Sequence, residues 1–169
     1  MSKNLFFCST PLHMLIAEKI INMHPSEEFD LLLITDAFNE KYNFYRMRLS
    51  SRCNKTFFFK INAQSKIKYL MNFISFKFFF KNLNFDYSNY YIVNITSRYV
   101  QYIVSNISNG SIYTFDDGLA NIYKYGIMHH EPIPNFVNNF IWKFLGVKKY
   151  SSDIKKEIKM HYTIFQGAP

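Results

Sequence analysis

The chain has 169 residues and a formal net charge of +8; 49% of the residues are hydrophobic, 20% aromatic and 19% charged. That composition excludes a disordered chain and allows one domain with a substantial core. The positive charge points to anionic partners: a nucleotide, a phosphorylated glycolipid, a membrane surface or nucleic acid.

Residues 3–8, "KNLFFC", predict a short buried strand. A helix follows from Pro11 to about His24, with Thr10 as N-cap and Pro11 in the first helical position. Leu12, Leu15, Ile16 and Ile20 share one face of it, and His24-Pro25 stops it. "FDLLLIT", 29–35, is a continuous apolar run of the kind buried on both faces of a sheet. Residues 39–51 predict a helix, and "KTFFFKI", 55–61, a third strand.

A long basic helix is expected from Ala63 to Lys81, with Ile67, Leu70, Met71, Ile74 and Phe78 on one face. "NYYIVNI", 89–95, predicts a fourth strand, "SRYVQYIVSNI" a helix opening at Thr96 or Ser97, and "SIYTF", 111–115, a fifth strand. Strands alternating with helices in this way point to an α/β fold, a parallel sheet with helices on both faces. Beyond Gly118 the pattern loosens. "MHHEPIPN" reads as a loop, and 135–146 as an amphipathic helix with Phe136, Phe140, Ile141 and Phe144 on one face and Gly146 as C-cap. A basic stretch, "KKYSSDIKKEIK", leads to "HYTIF", a sixth strand or the start of a connection. The pattern stops there without a closing helix, which predicts a further segment beyond Pro169.

The two cysteines, Cys8 and Cys53, have no CxxC spacing and predict free thiols in a reducing compartment. None of the five histidines, His13, His24, His129, His130 and His161, has a partner at ligand spacing, so no metal site is read. The N-terminus is not a signal peptide, and the longest apolar stretch, 73–80, is interrupted by Lys77 and too short to span a bilayer. A cytoplasmic protein is expected.

In an open parallel sheet, ligands bind beyond the C-terminal strand ends. Two candidate loops lie there. In "CSTPLH", 8–13, Ser9 and Thr10 stand before a helix N-terminus that either is simply capped by them or offers its N–H groups to an anion. His13, in the first turn, is either a packed side chain or a catalytic acid. The second loop is Asp116-Asp117-Gly118. Adjacent residues on an extended chain point to opposite sides, so one carboxylate can face a cleft while the other is held by the scaffold. Gly118 permits a close ligand approach. Such a carboxylate can take a proton from a sugar hydroxyl, bind an acceptor sugar, hold a metal, or cap a turn.

"LFFCSTPLHMLIAEKII", "HPSEEFDLLLIT", "NEKYNFY", "TFDDGLANI" and "HYTIF", in that order, resemble the N-terminal part of bacterial glycosyltransferase family 52, the lipooligosaccharide sialyltransferases. The resemblance implies the Rossmann-like first half of a two-domain GT-B-type enzyme, with a mostly parallel sheet over residues 1–130. Residues 131–169 are then a helix and connector toward a second domain. It implies transfer of sialic acid from CMP-sialic acid to a terminal galactose of lipooligosaccharide, with inversion and without a cofactor or essential metal.

In this family the donor-handling His-Pro motif and the best candidate for the general base lie in the second domain. The chain is therefore expected to be truncated before both, and His24-Pro25 is not that motif. Asp116 and Asp117 are assigned to acceptor binding or to the base, and Ser9, Thr10, His13 and Gly118 to substrate binding. A homodimer is implied as well, and peripheral association with the inner leaflet is read from the basic helix at 63–81. The alternative reading is a non-catalytic basic module on an anionic membrane or glycolipid, carried by Lys66, Lys68, Lys77 and Lys81 beside Phe73, Phe76, Phe79 and Phe80. Nucleic acid is not expected, because the lysines are dispersed and no RNP, KH or helix-turn-helix signature is present.

Overall fold

A computed structural model describes residues 3–36, 39–62, 65–83, 86–116 and 136–164, the last segment without the side chains of 136–138. Six strands run in chain order: β1 (Lys3–Cys8), β2 (Glu28–Thr35), β3 (Thr56–Lys60), β4 (Asn89–Ile92), β5 (Ser111–Phe115) and β6 (Ile158–Tyr162). They form one sheet ordered β3-β2-β1-β4-β5-β6, with every neighbouring pair parallel. The helices are α1 (Pro11–Met23), α2 (Glu40–Ser50), α3 (Lys66–Lys81), α4 (Arg98–Asn106), α5 (Phe136–Phe144) and α6 (Ser151–Glu157). This is the Rossmann-like α/β architecture that the alternating pattern predicts.

The chain builds outward from β1 to β3, then returns across the sheet to β4 on the other side of β1. Right-handed crossovers in opposite directions put α1 and α2 on one face and α3 and α4 on the other. They also place the topological switch point between β1 and β4. The central strands are buried on both faces, as the unbroken apolar run of β2 requires. Phe6, Leu31, Leu32 and Leu33 are fully enclosed.

The helix starts follow capping chemistry. The side chains of Thr10, Asn39 and Ser65 accept the N–H groups of His13, Tyr42 and Lys68 at 3.3, 2.8 and 3.2 Å. Gly146, at φ +99, closes α5: the Val147 N–H reaches back to the Trp142 carbonyl at 2.9 Å.

Four expectations are corrected. The fourth strand ends at Ile92 instead of 95, because Asn94 adopts φ 49 and its carbonyl accepts the Ser97 N–H in a turn. The sixth strand begins at Ile158, ahead of "HYTIF". It is preceded by α6, whose high charge masked it; Asp153 accepts the Tyr150 N–H and Ile154 fills the core.

The third correction concerns α3. Its buried residues are Phe73, Phe76 and Phe80, whereas Ile67 (74% exposed), Met71 and Phe78 (66%) face solvent. The helix carries two apolar stripes, and the aromatic one is taken inward. Phe73 and Phe76 pack on Tyr99 and Tyr102 of α4, and Phe76 also meets Phe59 of β3. The same inversion, the fourth correction, affects α5. Phe140 and Phe144 (83% exposed) face outward, while Trp142 packs against Tyr69 and Phe73. Residues 136–162 are thus joined to the sheet: β6 pairs with β5, and α5 and α6 pack on α3 and α4.

Candidate functional site

Ser9, Thr10, His13 and Asp116 gather at the C-terminal ends of β1 and β5. Ser9 and Thr10 follow β1, Thr10 exposed and Ser9 half-buried. His13 lies beneath them, buried, with Nδ1 accepting the Ser9 N–H at 3.2 Å and lying 3.1 Å from the Ser9 hydroxyl. Its ring stands edge-on to Phe115, the last residue of β5. The structure thus brings the β1 turn and the β5 end together.

Asp116 is 1% exposed. Its Oδ1 lies 3.1 Å from His161 Nε2, its Oδ2 accepts the Ile164 N–H at 2.6 Å, and its own N–H donates to the Tyr162 carbonyl at 3.2 Å. On the other side of the ring, His161 Nδ1 is 2.8 Å from the Thr114 hydroxyl. The His161 side chain is 40% exposed, so the pair couples a buried carboxylate to a partly open imidazole. Asp117 and Gly118 lie outside the described residues.

Sequence reasoning missed His161 and Thr114. They are 47 positions apart, and only the parallel register of β5 and β6 sets them opposite each other. "HYTIF" drew notice as a strand, but spacing alone carries no signal for that pairing.

Cys8 and Cys53 are free thiols. Burial pushes the Cys8 thiol well above its ordinary value, with Cys53 adding to the shift; burial and then the charge of Asp30 push Cys53 up to about 12. Among the described residues no group of three or more metal-ligating side chains comes together. Nor, among the described residues, is any helix long and apolar enough to cross a membrane.

A parallel sheet with a switch point, polar groups at its strand ends and a buried Asp116 paired with a partly open His161 at its rim defines a domain of the Rossmann-like class. The family model of glycosyltransferase family 52 matches residues 26–168, and the chain belongs to that family. It is 31% identical over 174 aligned residues to an N-acetyllactosaminide alpha-2,3-sialyltransferase of Haemophilus influenzae, an alignment covering 96% of this chain and 53% of that protein. It is 30% identical to a CMP-N-acetylneuraminate:beta-galactoside alpha-2,3-sialyltransferase of Pasteurella multocida, over 97% of this chain and 52% of the relative. A Neisseria meningitidis N-acetyllactosaminide alpha-2,3-sialyltransferase is 26% identical over 97% of the chain and 45% of its own length. The chain therefore spans about half the length of these relatives.

Proposed function

We propose that the chain serves sialyl transfer from CMP-sialic acid to a terminal galactose of lipooligosaccharide, and that it contributes the acceptor side of the site. The observation that carries this reading is the match, along nearly the whole chain, to relatives named as alpha-2,3-sialyltransferases. In the reaction a galactose hydroxyl oxygen attacks the anomeric carbon of sialic acid. The bond from that carbon to the CMP phosphate oxygen breaks, CMP leaves with the electron pair, and the hydroxyl proton passes to a base. No cofactor or metal is required.

Asp117 binds the acceptor sugar or takes its proton, beside the Asp116–His161 pair that shapes the strand ends. Ser9 and Thr10, at the N-terminus of α1, bind substrate oxygens, and an anionic group there is favoured by the helix dipole. His13 holds that turn in place, and Gly118 lets the acceptor approach. Donor binding is measured by calorimetry with CMP-sialic acid. Transfer to lipooligosaccharide is assayed with the chain alone and with the complementing part of the Haemophilus relative. Sialylated product that depends on this chain and is lost in Asp117→Asn supports the reading. No product in either format, from a folded chain, overturns it.

A second reading concerns location, and one observation favours it. Ile67, Met71, Ile74 and Phe78 of α3, with Phe140, Ile141 and Phe144 of α5, leave apolar side chains in solvent. Lys77, Lys81, Ile74, Phe78 and Leu145 line one shallow depression of about 220 Å³. Apolar residues rimmed by lysines suit the anionic inner leaflet, where the glycolipid acceptor would be presented. Flotation with phosphatidylglycerol vesicles tests this; salt-sensitive binding is expected, and its absence removes the reading. A homodimer is the expected assembly by family resemblance, and sedimentation velocity checks it.

A further inference from the structure

We infer that Asp116, His161 and Thr114 form a latch that fixes the path of the chain where it leaves the sheet after β6. The inference does not depend on sialyl transfer and is tested without substrate.

For an ionised Asp116 and a neutral His161, donor and acceptor chemistry fixes each proton. A backbone N–H can only donate, so Asp116 Oδ2 accepts from Ile164 at 2.6 Å. An ionised carboxylate can only accept, so the 3.1 Å contact of Asp116 Oδ1 places the proton of neutral His161 on Nε2. Nδ1 is then the acceptor, and the Thr114 hydroxyl donates to it at 2.8 Å. The Asp116 N–H completes the set by donating to the Tyr162 carbonyl at 3.2 Å.

Strand periodicity explains why these residues meet. Thr114 and His161 are register partners of β5 and β6, and Asp116, two residues beyond Thr114, returns to the same side. Asp116 is the buried member, so its bonds are not exchanged freely for water. The chain it holds is not anchored by apolar burial, since the Ile164 side chain is 56% exposed and Thr163 is exposed too. The restraint on this exit is polar.

The latch also defines what Asp116 can do. With both oxygens engaged it is a positioning residue, which orients the His161 ring at the strand ends and sets the outgoing backbone.

Nitrogen-15 NMR of the wild-type chain, with amide exchange, tests the inference. His161 is expected as the Nε2–H tautomer, and the Ile164 amide as protected. Asp116→Ala should speed Ile164 exchange about tenfold or more while the Phe7 and Leu32 amides stay protected. Asp116→Asn is the discriminating variant. Its carbonyl oxygen can keep the Ile164 bond, but its NH₂ now donates to Nε2. The ring should therefore switch to the Nδ1–H tautomer and donate to Thr114, with Ile164 protection retained. Thr114→Val should weaken the tautomer preference only. An unprotected Ile164 amide or an Nδ1–H ring in the wild-type chain overturns the latch, whatever the variants do.

Discussion

His13 stands edge-on to Phe115, with ring centroids 6.2 Å apart and planes at 89°. The contact ties the turn after β1 to the last residue of β5, which immediately precedes Asp116. The imidazole is buried and accepts the Ser9 N–H, so it shapes the turn that Ser9 and Thr10 present. His13→Ala leaves that N–H without its acceptor and empties space beside Phe115. It should cost about 3 kcal/mol in urea denaturation. A loss within about 0.5 kcal/mol would show that the ring does not hold the turn.

Phe73 and Phe78 lie five residues apart on α3 and should respond in opposite ways. Phe73 is fully buried against Tyr99, Tyr102 and Trp142. Phe73→Ala should cost about 4 kcal/mol, as a large aromatic removed from a packed core does. Phe78 is exposed, so Phe78→Ala should change stability by no more than about 0.5 kcal/mol. Equal losses at the two positions would mean that the helix is turned the other way.

That contrast marks where the sequence becomes ambiguous. The strands of the sheet were legible because continuous runs such as "FDLLLIT" have few alternatives in a chain of alternating elements. The start of α1 was legible too, since Thr10-Pro11 combines a cap with a fixed φ. For α3 and α5 the apolar period fits two faces, and the choice is made by partners on other elements, Tyr99, Tyr102 and Phe59, which periodicity does not contain. Asp116 was legible as a strand-end carboxylate, yet its partner was not. His161 reaches it only after β6 adds in parallel to β5. α6 was hidden because only Ser151 and Ile154 of its seven residues are buried.

Stability should fall on the alkaline side. Burial raises the phenols of Tyr42, Tyr87, Tyr91 and Tyr99 above their ordinary value, and at Tyr87 the bond to Asp30 at 2.7 Å adds to the shift. The thiols of Cys8 and Cys53 are raised as well, Cys53 to about 12. A raised pKa in the folded state means that the native chain keeps protons the unfolded chain releases. The contribution is complete below the ordinary values, 9.0 for the thiols and 10.0 for the phenols, and is lost as the pH climbs from there toward the raised values. Urea midpoints measured from pH about 7 to about 11 should therefore decline from near 9 onward. A flat profile would contradict the burial of these groups. The same burial should keep both thiols unreactive toward a disulfide reagent at neutral pH until the chain is unfolded.

The exposed stripe gives the final prediction. Phe78 and Phe144 contribute little to the fold, so the double substitution Phe78→Ser and Phe144→Ser should leave stability within about 0.5 kcal/mol of the parent. If the stripe meets an anionic bilayer, the same variant should lose most of its binding to phosphatidylglycerol vesicles, because the apolar contact is gone while the lysines remain. Charge is tested separately. The Lys77 ammonium is held below its ordinary value, first by desolvation and then by Lys81, and an anionic surface would relieve the repulsion between the two. Lys77→Glu with Lys81→Glu should therefore abolish flotation at low salt and leave uncharged vesicles unaffected. If both double variants float like the parent, the stripe is not the membrane contact, and a shift in sedimentation coefficient with Phe78→Ser and Phe144→Ser would assign it to a second copy of the chain instead.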